Sequence, residues 1–208
     1  MNNDYQIIDN NGSNLIICFS GLWLAVDQVP IFEFGRSLSS LELNSDILLL
    51  RDHSESWYLN GLKNTCADFD SFLVFLQRKI DKYDKVIAIG SSAGGYASIL
   101  FSSLLKFDGC IAFIPQTDLS IASKYNDWSF DKINPILNTA IGQKYQNLNS
   151  FINNQSKYHI YSFNDIDDSL HGFCHFDNIS HHANVFKLSD NANYMIKNQS
   201  LFRLIYSF

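Results

Sequence analysis

Gly90-Ser91-Ser92-Ala93-Gly94 sets one serine at the centre of a G-x-S-x-G pattern, with Gly95 next. The preceding run, Val86 to Ile89, is continuous and apolar, as in a buried strand. Ala93 to Leu105 continues as a helix. A serine in a cramped strand-to-helix turn needs neighbours without bulk two positions away on each side. The turn lifts Oγ clear of the sheet, and the new helix aims its first amides and positive dipole end at the same spot. Ser92 is therefore the candidate nucleophile, and the Ala93 N–H a candidate oxyanion donor. Two plainer readings use the same residues: small side chains that let a helix pack close to a strand, or a loop that holds a phosphate. A G-x-G-x-x-G cofactor loop is not matched, because Ser92 stands where the second glycine is needed.

A serine nucleophile needs a base, and the base needs an orienting group. The chain has six histidines. His171 and His175 lie in "DDSLHGFCHFDN", His53 follows an apolar run in "LLLRDHSESWY", and His159 falls within a strand candidate. His181 and His182 precede the last apolar run, which puts them at the opposite end of a parallel sheet. His175 is the first choice, then His171, then His53. In "RDHSESWY", Trp57 could stack on a sugar and Arg51 clamp an anion. A buried Arg51–Asp52 pair with core aromatics is the favoured reading.

The elements that must carry these residues alternate along the chain. Leu15–Phe19, Ile47–Leu50, Val86–Ile89, Cys110–Ile114, Tyr158–Phe163 and Asn184–Leu188 read as strands. Apolar residues at Cys66, Phe69, Phe72, Leu73, Leu76, Ile80 and Tyr83 have helical spacing, with Thr65 and Asp68 as a capping-box start. A closing helix is expected over Asn193–Tyr206. Continuous apolar strands alternating with helices predict an α/β fold: a mostly parallel central sheet with helices on both faces. Ligands of such sheets bind beyond the C-terminal strand ends. One domain over 1–208 is expected. The weakly patterned stretch Gln116–Ser156 is read as a small cap, packed by Tyr125, Trp128, Phe130 and Tyr145.

Composition narrows the partners. Of 208 residues 46% are hydrophobic and 17% charged, too apolar for disorder. A net charge of -6, with no basic stripe, argues against nucleic acid. The N-terminal residues lack the basic start and apolar stretch of a signal peptide, and no run is long enough for a membrane span. Cys18, Cys66, Cys110 and Cys174 are widely spaced, which predicts reduced thiols, no zinc cluster and a cytoplasmic protein. No cofactor and no metal is expected.

"IGSSAGGYAS" resembles the nucleophile turn of α/β-hydrolases. "FEFGRSLSSLELNSDILLLRDHSESWYLNGL" and "IAFIPQT" resemble a bacterial group of small α/β-hydrolase-like proteins, some associated with surface polysaccharide synthesis. The resemblance implies a compact α/β-hydrolase fold with a small cap. It implies a second oxyanion donor in Ser20-Gly21-Leu22-Trp23, at the Leu22 or Trp23 N–H. It implies an acid after the Tyr158–Phe163 strand, at Asp165 first and Asp168 next. It also implies a histidine after the last strand, where this chain has Asn193. Asn does not titrate near neutral pH and cannot serve as that base.

Two functions are expected from this. One is a serine-dependent esterase or acyltransferase on small acyl esters, such as O-acetyl groups of glycan precursors. Ser92, His175 and Asp165 would form its triad, and Ala93 and Leu22 its oxyanion donors. The other is a catalytically degenerate binding protein of the same fold, which Asn193 favours. The enzyme's substrate would be a small acyl ester or glycan; the binding protein would recognise a ligand in its pocket or recruit a partner at its surface.

Overall fold

The computed structural model describes residues 3–22, 25–26, 29–41, 43–125, 127–161, 178–188, 205 and 208. Its elements in chain order are β1 (Tyr5–Ile8), β2 (Asn14–Phe19), the two-residue strands β3 (Ala25–Val26) and β4 (Val29–Pro30), and α1 (Gly35–Ser39). Then follow β5 (Ser45–Leu50), α2 (Phe69–Ile80), β6 (Lys85–Ser91), α3 (Ala93–Leu105) and β7 (Gly109–Phe113). The last are α4 (Leu119–Ala122), α5 (Asp127–Leu137), α6 (Ala140–Tyr145), a 3-10 turn (Leu148–Phe151), β8 (Lys157–Tyr161) and β9 (Val185–Leu188).

Seven strands form one sheet in the order β1-β5-β2-β6-β7-β8-β9. Only β1 runs antiparallel, against β5. The alternation of side chains explains why the parallel strands are apolar throughout. In β2, Leu15, Ile17 and Phe19 point to one face, where they meet Phe69, Phe72 and Leu76 of α2 and Tyr96, Leu100 and Phe101 of α3. Ile16 and Cys18 point to the other, with Phe34, Leu38 of α1 and Ile205. The inner strands β2, β5, β6 and β7 are thus buried on both faces, as a crossover-connected parallel sheet requires.

The expected strands are present within a few residues. β7 ends at Phe113 because Ile114 turns to φ 43°. β8 is described to Tyr161, and Phe163 and the expected helix over 193–206, apart from Ile205, lie outside the described residues. β1 is an element the sequence reading lacked. α2 starts later than expected: Asp68, not Thr65, is its N-cap, and it exchanges hydrogen bonds with Ser71 in a capping box. The Thr65 hydroxyl instead donates to buried Asp4. Residues 116–156 carry three short helices, and Ile133, Ile136, Tyr145 and Leu148 belong to the same core as α2 and α3.

Candidate active site

Ser92 follows the last residue of β6 and occupies the N-cap position of α3 at φ 52°, ψ -116°. An L-residue rarely holds such angles, and the surroundings dictate them. A Cβ at Gly90 would lie 2.0 Å from the Gly94 carbonyl oxygen, and one at Gly94 would lie 2.0 Å from that of Phe19. Only glycine fits either place, which explains the small residues on both sides of the serine. The Ser92 N–H donates to the Phe113 carbonyl at 2.9 Å, and its carbonyl accepts from Tyr96 at 2.9 Å, so the bend is fixed at both ends. Ala93 is the first residue of α3, where an amide has no acceptor within its own helix.

The loop after β2 lies against this bend. A Cβ on Gly21 would be 3.0 Å from the Ser91 carbonyl oxygen, so a larger residue there would press on the serine turn. Each polar group of Ser20 is used: its N–H donates to Leu50, its carbonyl accepts from the Tyr58 hydroxyl at 3.0 Å, and its Oγ accepts from the Glu33 N–H. Gly21 N–H donates to Glu33 Oε2 at 2.8 Å. Leu22 follows directly; Trp23 lies outside the described residues.

The loop after β5 supplies the wall. Asp52 is buried and accepts from the Ser54, Ser56 and Tyr58 amides and from the Ser56 hydroxyl. Burial pushes its carboxyl up, and those hydrogen bonds pull it back. They hold Glu55, Trp57 and Tyr58 at positive φ. Of the eight described non-glycine residues with positive φ, five (Glu55, Trp57, Tyr58, Ser92 and Ile114) follow the C-terminal ends of β5, β6 and β7. Strain collected at one rim of a sheet is characteristic of a functional site.

Trp57 and Gln116 connect this loop to the serine. Trp57, at 0% exposure, donates its indole N–H to Gln116 Oε1 at 2.9 Å. Gln116 Nε2 donates to Ser92 Oγ at 3.2 Å. An indole N–H only donates, so the amide oxygen must face Trp57 and the NH2 must face the serine. Gln116 was read from sequence only as the start of a cap. Its position three residues past β7, the neighbour of β6, was the available signal. Trp57 is a buried hydrogen-bonded wall residue, not an exposed sugar platform. Arg51 Nε donates to the Asn3 carbonyl and its guanidinium lies over the Phe32 ring, while Asp52 serves the loop amides; the two are not the pair expected.

Ser92, Ala93 and the backbone before Leu22 thus converge in space. Asp165, Asp168, His171, His175 and Asn193 lie outside the described residues. Among the described histidines, His53 Nε2 lies 3.7 Å from Asp4 beside the edge strand. The His159 ring packs against Phe186 and Phe208, and burial lowers its pKa. His182 meets Asn149 just before β9, at the far end of the sheet from Ser92. Among the described residues, the group on Ser92 Oγ is the Gln116 amide. No described group of three or more His, Cys, Asp or Glu could hold a metal ion, and no described helix is long and apolar enough to cross a membrane.

Strand order, the antiparallel edge strand and the strained serine at the end of the central strand define the α/β-hydrolase fold, and solved structures share it. The chain is similar to the capsule O-acetyltransferase of Neisseria meningitidis serogroup A, with 18% identity over 99% of this chain and 92% of that one, TM-score 0.67. It is similar to the glycosylation-associated Gap123 complex of Streptococcus agalactiae, with 14% identity over 98% of this chain and 44% of that one, TM-score 0.70. Inhibited esterase B of Lactobacillus rhamnosis shares 13% identity over 95% of this chain and 78% of that one, TM-score 0.63. No family model and no curated protein matches the sequence.

Proposed function

We propose that the protein is a serine-dependent esterase or acyltransferase on small acyl esters, with O-acetyl groups of glycan precursors as the substrate class. One observation carries this reading: Ser92 is held in a strained bend at the amide end of α3, directly against the loop that leads to Leu22. Ser92 Oγ attacks the ester carbonyl, and the Ala93 and Leu22 amides receive the oxyanion. A histidine takes the Ser92 proton and passes it to the departing alcohol; His175 is first choice, with Asp165 orienting it. Water or a sugar hydroxyl then attacks the acyl-serine and regenerates the hydroxyl. Because Gln116 donates to Oγ, the serine's own proton is free to point at that base.

Residues 116–156 act as a cap in this account. An ion pair between Lys132 of α5 and Glu55 ties them to the loop that carries Trp57. The likeness to a capsule O-acetyltransferase supports transfer to a glycan, and the likeness to esterase B supports hydrolysis. The buried thiols of Cys18 and Cys110 are in keeping with a cytoplasmic setting.

The second reading, a binding protein that has lost its base, is favoured by Asn193. Hydrolysis of p-nitrophenyl acetate by wild type and Ser92→Ala separates them. Activity lost in the variant supports the enzyme; equal rates remove it.

A further inference from the structure

Glu33 was not among the residues the sequence singled out, yet it touches the oxyanion loop twice. Its carboxylate accepts the Gly21 N–H at 2.8 Å, and its own N–H donates to Ser20 Oγ at 3.0 Å. The two bonds run in opposite directions across twelve or thirteen residues of chain, so they clamp the loop instead of merely touching it. Gly21 is caught between this carboxylate and the serine turn. A Cβ built there would lie 3.7 Å from Glu33 Oε2 and 3.0 Å from the Ser91 carbonyl oxygen. No Lys, Arg or His forms an ion pair with Glu33 among the described residues. A largely buried carboxylate without a cation is costly, and it is retained where its acceptor strength is needed.

We propose that Glu33 is the positioning residue of the oxyanion loop: by clamping Ser20 and Gly21 it fixes where the Leu22 N–H points relative to Ser92. The inference rests on the reading of Leu22 as an oxyanion donor. Glu33 does not itself touch the substrate. Without the clamp the Gly21 amide loses its acceptor, and the next peptide can rotate away from the position the oxyanion will occupy. Binding of the ester would change little, because the donor acts most strongly on the charge of the transition state.

Burial pushes the Glu33 carboxyl up to about 6, and the Gly21 hydrogen bond pulls it back. Among the described residues, Cys18 of β2 and Tyr58 of the β5 loop are titratable groups that interact with it. Burial raises both, so neither titrates in the same range. The clamp therefore changes from neutral to anionic across pH 6, and a charged acceptor binds an amide more strongly.

Glu33→Ala and Glu33→Gln test the proposal, because glutamine keeps an acceptor oxygen and alanine does not. Two readouts are taken: p-nitrophenyl acetate kinetics, and hydrogen exchange at the Gly21 amide followed by NMR. The expected result for Glu33→Ala is a kcat at least tenfold lower at unchanged KM, with Gly21 exchange at least tenfold faster. Glu33→Gln should restore most of both. An unchanged exchange rate in Glu33→Ala would overturn the clamp. An unchanged kcat beside faster exchange would overturn its role in positioning. If hydrolysis by wild type does not depend on Ser92, the enzyme reading fails by itself, and Gly21 exchange still decides whether the clamp exists.

Discussion

At the scale of single residues, the site is a line of three side chains: Trp57, Gln116 and Ser92. The indole fixes the amide, and the amide fixes Oγ. Gln116→Ala leaves a buried indole N–H without its acceptor and should cost about 1–3 kcal/mol in urea unfolding. Gln116→Glu is the sharper variant. A carboxylate still accepts from Trp57 but has no proton for Ser92; its buried charge should lower stability in urea unfolding, and fluorophosphonate labelling of Ser92 in the folded variant should slow at least tenfold. Equal labelling rates would show that the amide does nothing for the serine. Glu33 supplies a pH signature of its own. Its folded-state value, raised from 4.5 to about 6, means that the folded protein holds this proton more tightly than the unfolded chain. Its stabilising effect is full below 4.5 and is lost as pH rises through 6. The loss amounts to about 2 kcal/mol at 1.36 kcal/mol per unit. Buried Asp52 titrates with the same sign, so the quantity to measure is the difference between wild type and Glu33→Gln in urea unfolding at pH 4 and pH 7. The variant should lack that share of the decline; parallel curves would show that Glu33 is not the group responsible.

At the scale of elements, the turn and the loops that frame it are held by backbone groups, and this decided what the sequence could reveal. The serine turn was legible because glycine at 90 and 94 is a steric necessity that leaves a spelling. α2 was legible from its apolar spacing, but its cap was misread: Thr65 and Asp68 both suit a cap, and the pull of buried Asp4 on Thr65 cannot be seen in a local pattern. β1 was missed because four residues at an antiparallel edge leave too little pattern. Gln116 was missed because its meaning depends on Trp57, 59 residues away. The Asp52 loop is likewise a product of tertiary structure. Its carboxylate gathers three amides and one hydroxyl, and so holds three residues at positive φ. Asp52→Ala should cost about 3–5 kcal/mol and release Trp57 from Gln116. The check is thermal unfolding together with Trp fluorescence. A variant of wild-type stability and unchanged emission would mean that the loop holds its shape without the carboxylate.

At the scale of the whole molecule, six parallel strands and one antiparallel edge strand bring the ends of β2, β5, β6 and β7 to one rim, where five of the eight described non-glycine residues with positive φ lie. The alternation of apolar strands and helices was enough to foresee that sheet. It was not enough to identify a base, because the sequence beyond Leu188 contains no histidine, and Asn193 stands where the resemblance implies one. The central claim is that Ser92 is a reactive nucleophile, poised by strain and by the amides around it. The measurement that tests it most directly is stoichiometric labelling of the purified protein by a fluorophosphonate, located by peptide mass spectrometry, with Ser92→Ala as control. The account predicts one label per chain, on Ser92, and none in the variant. A folded wild type that takes no label, or takes it elsewhere, would contradict it.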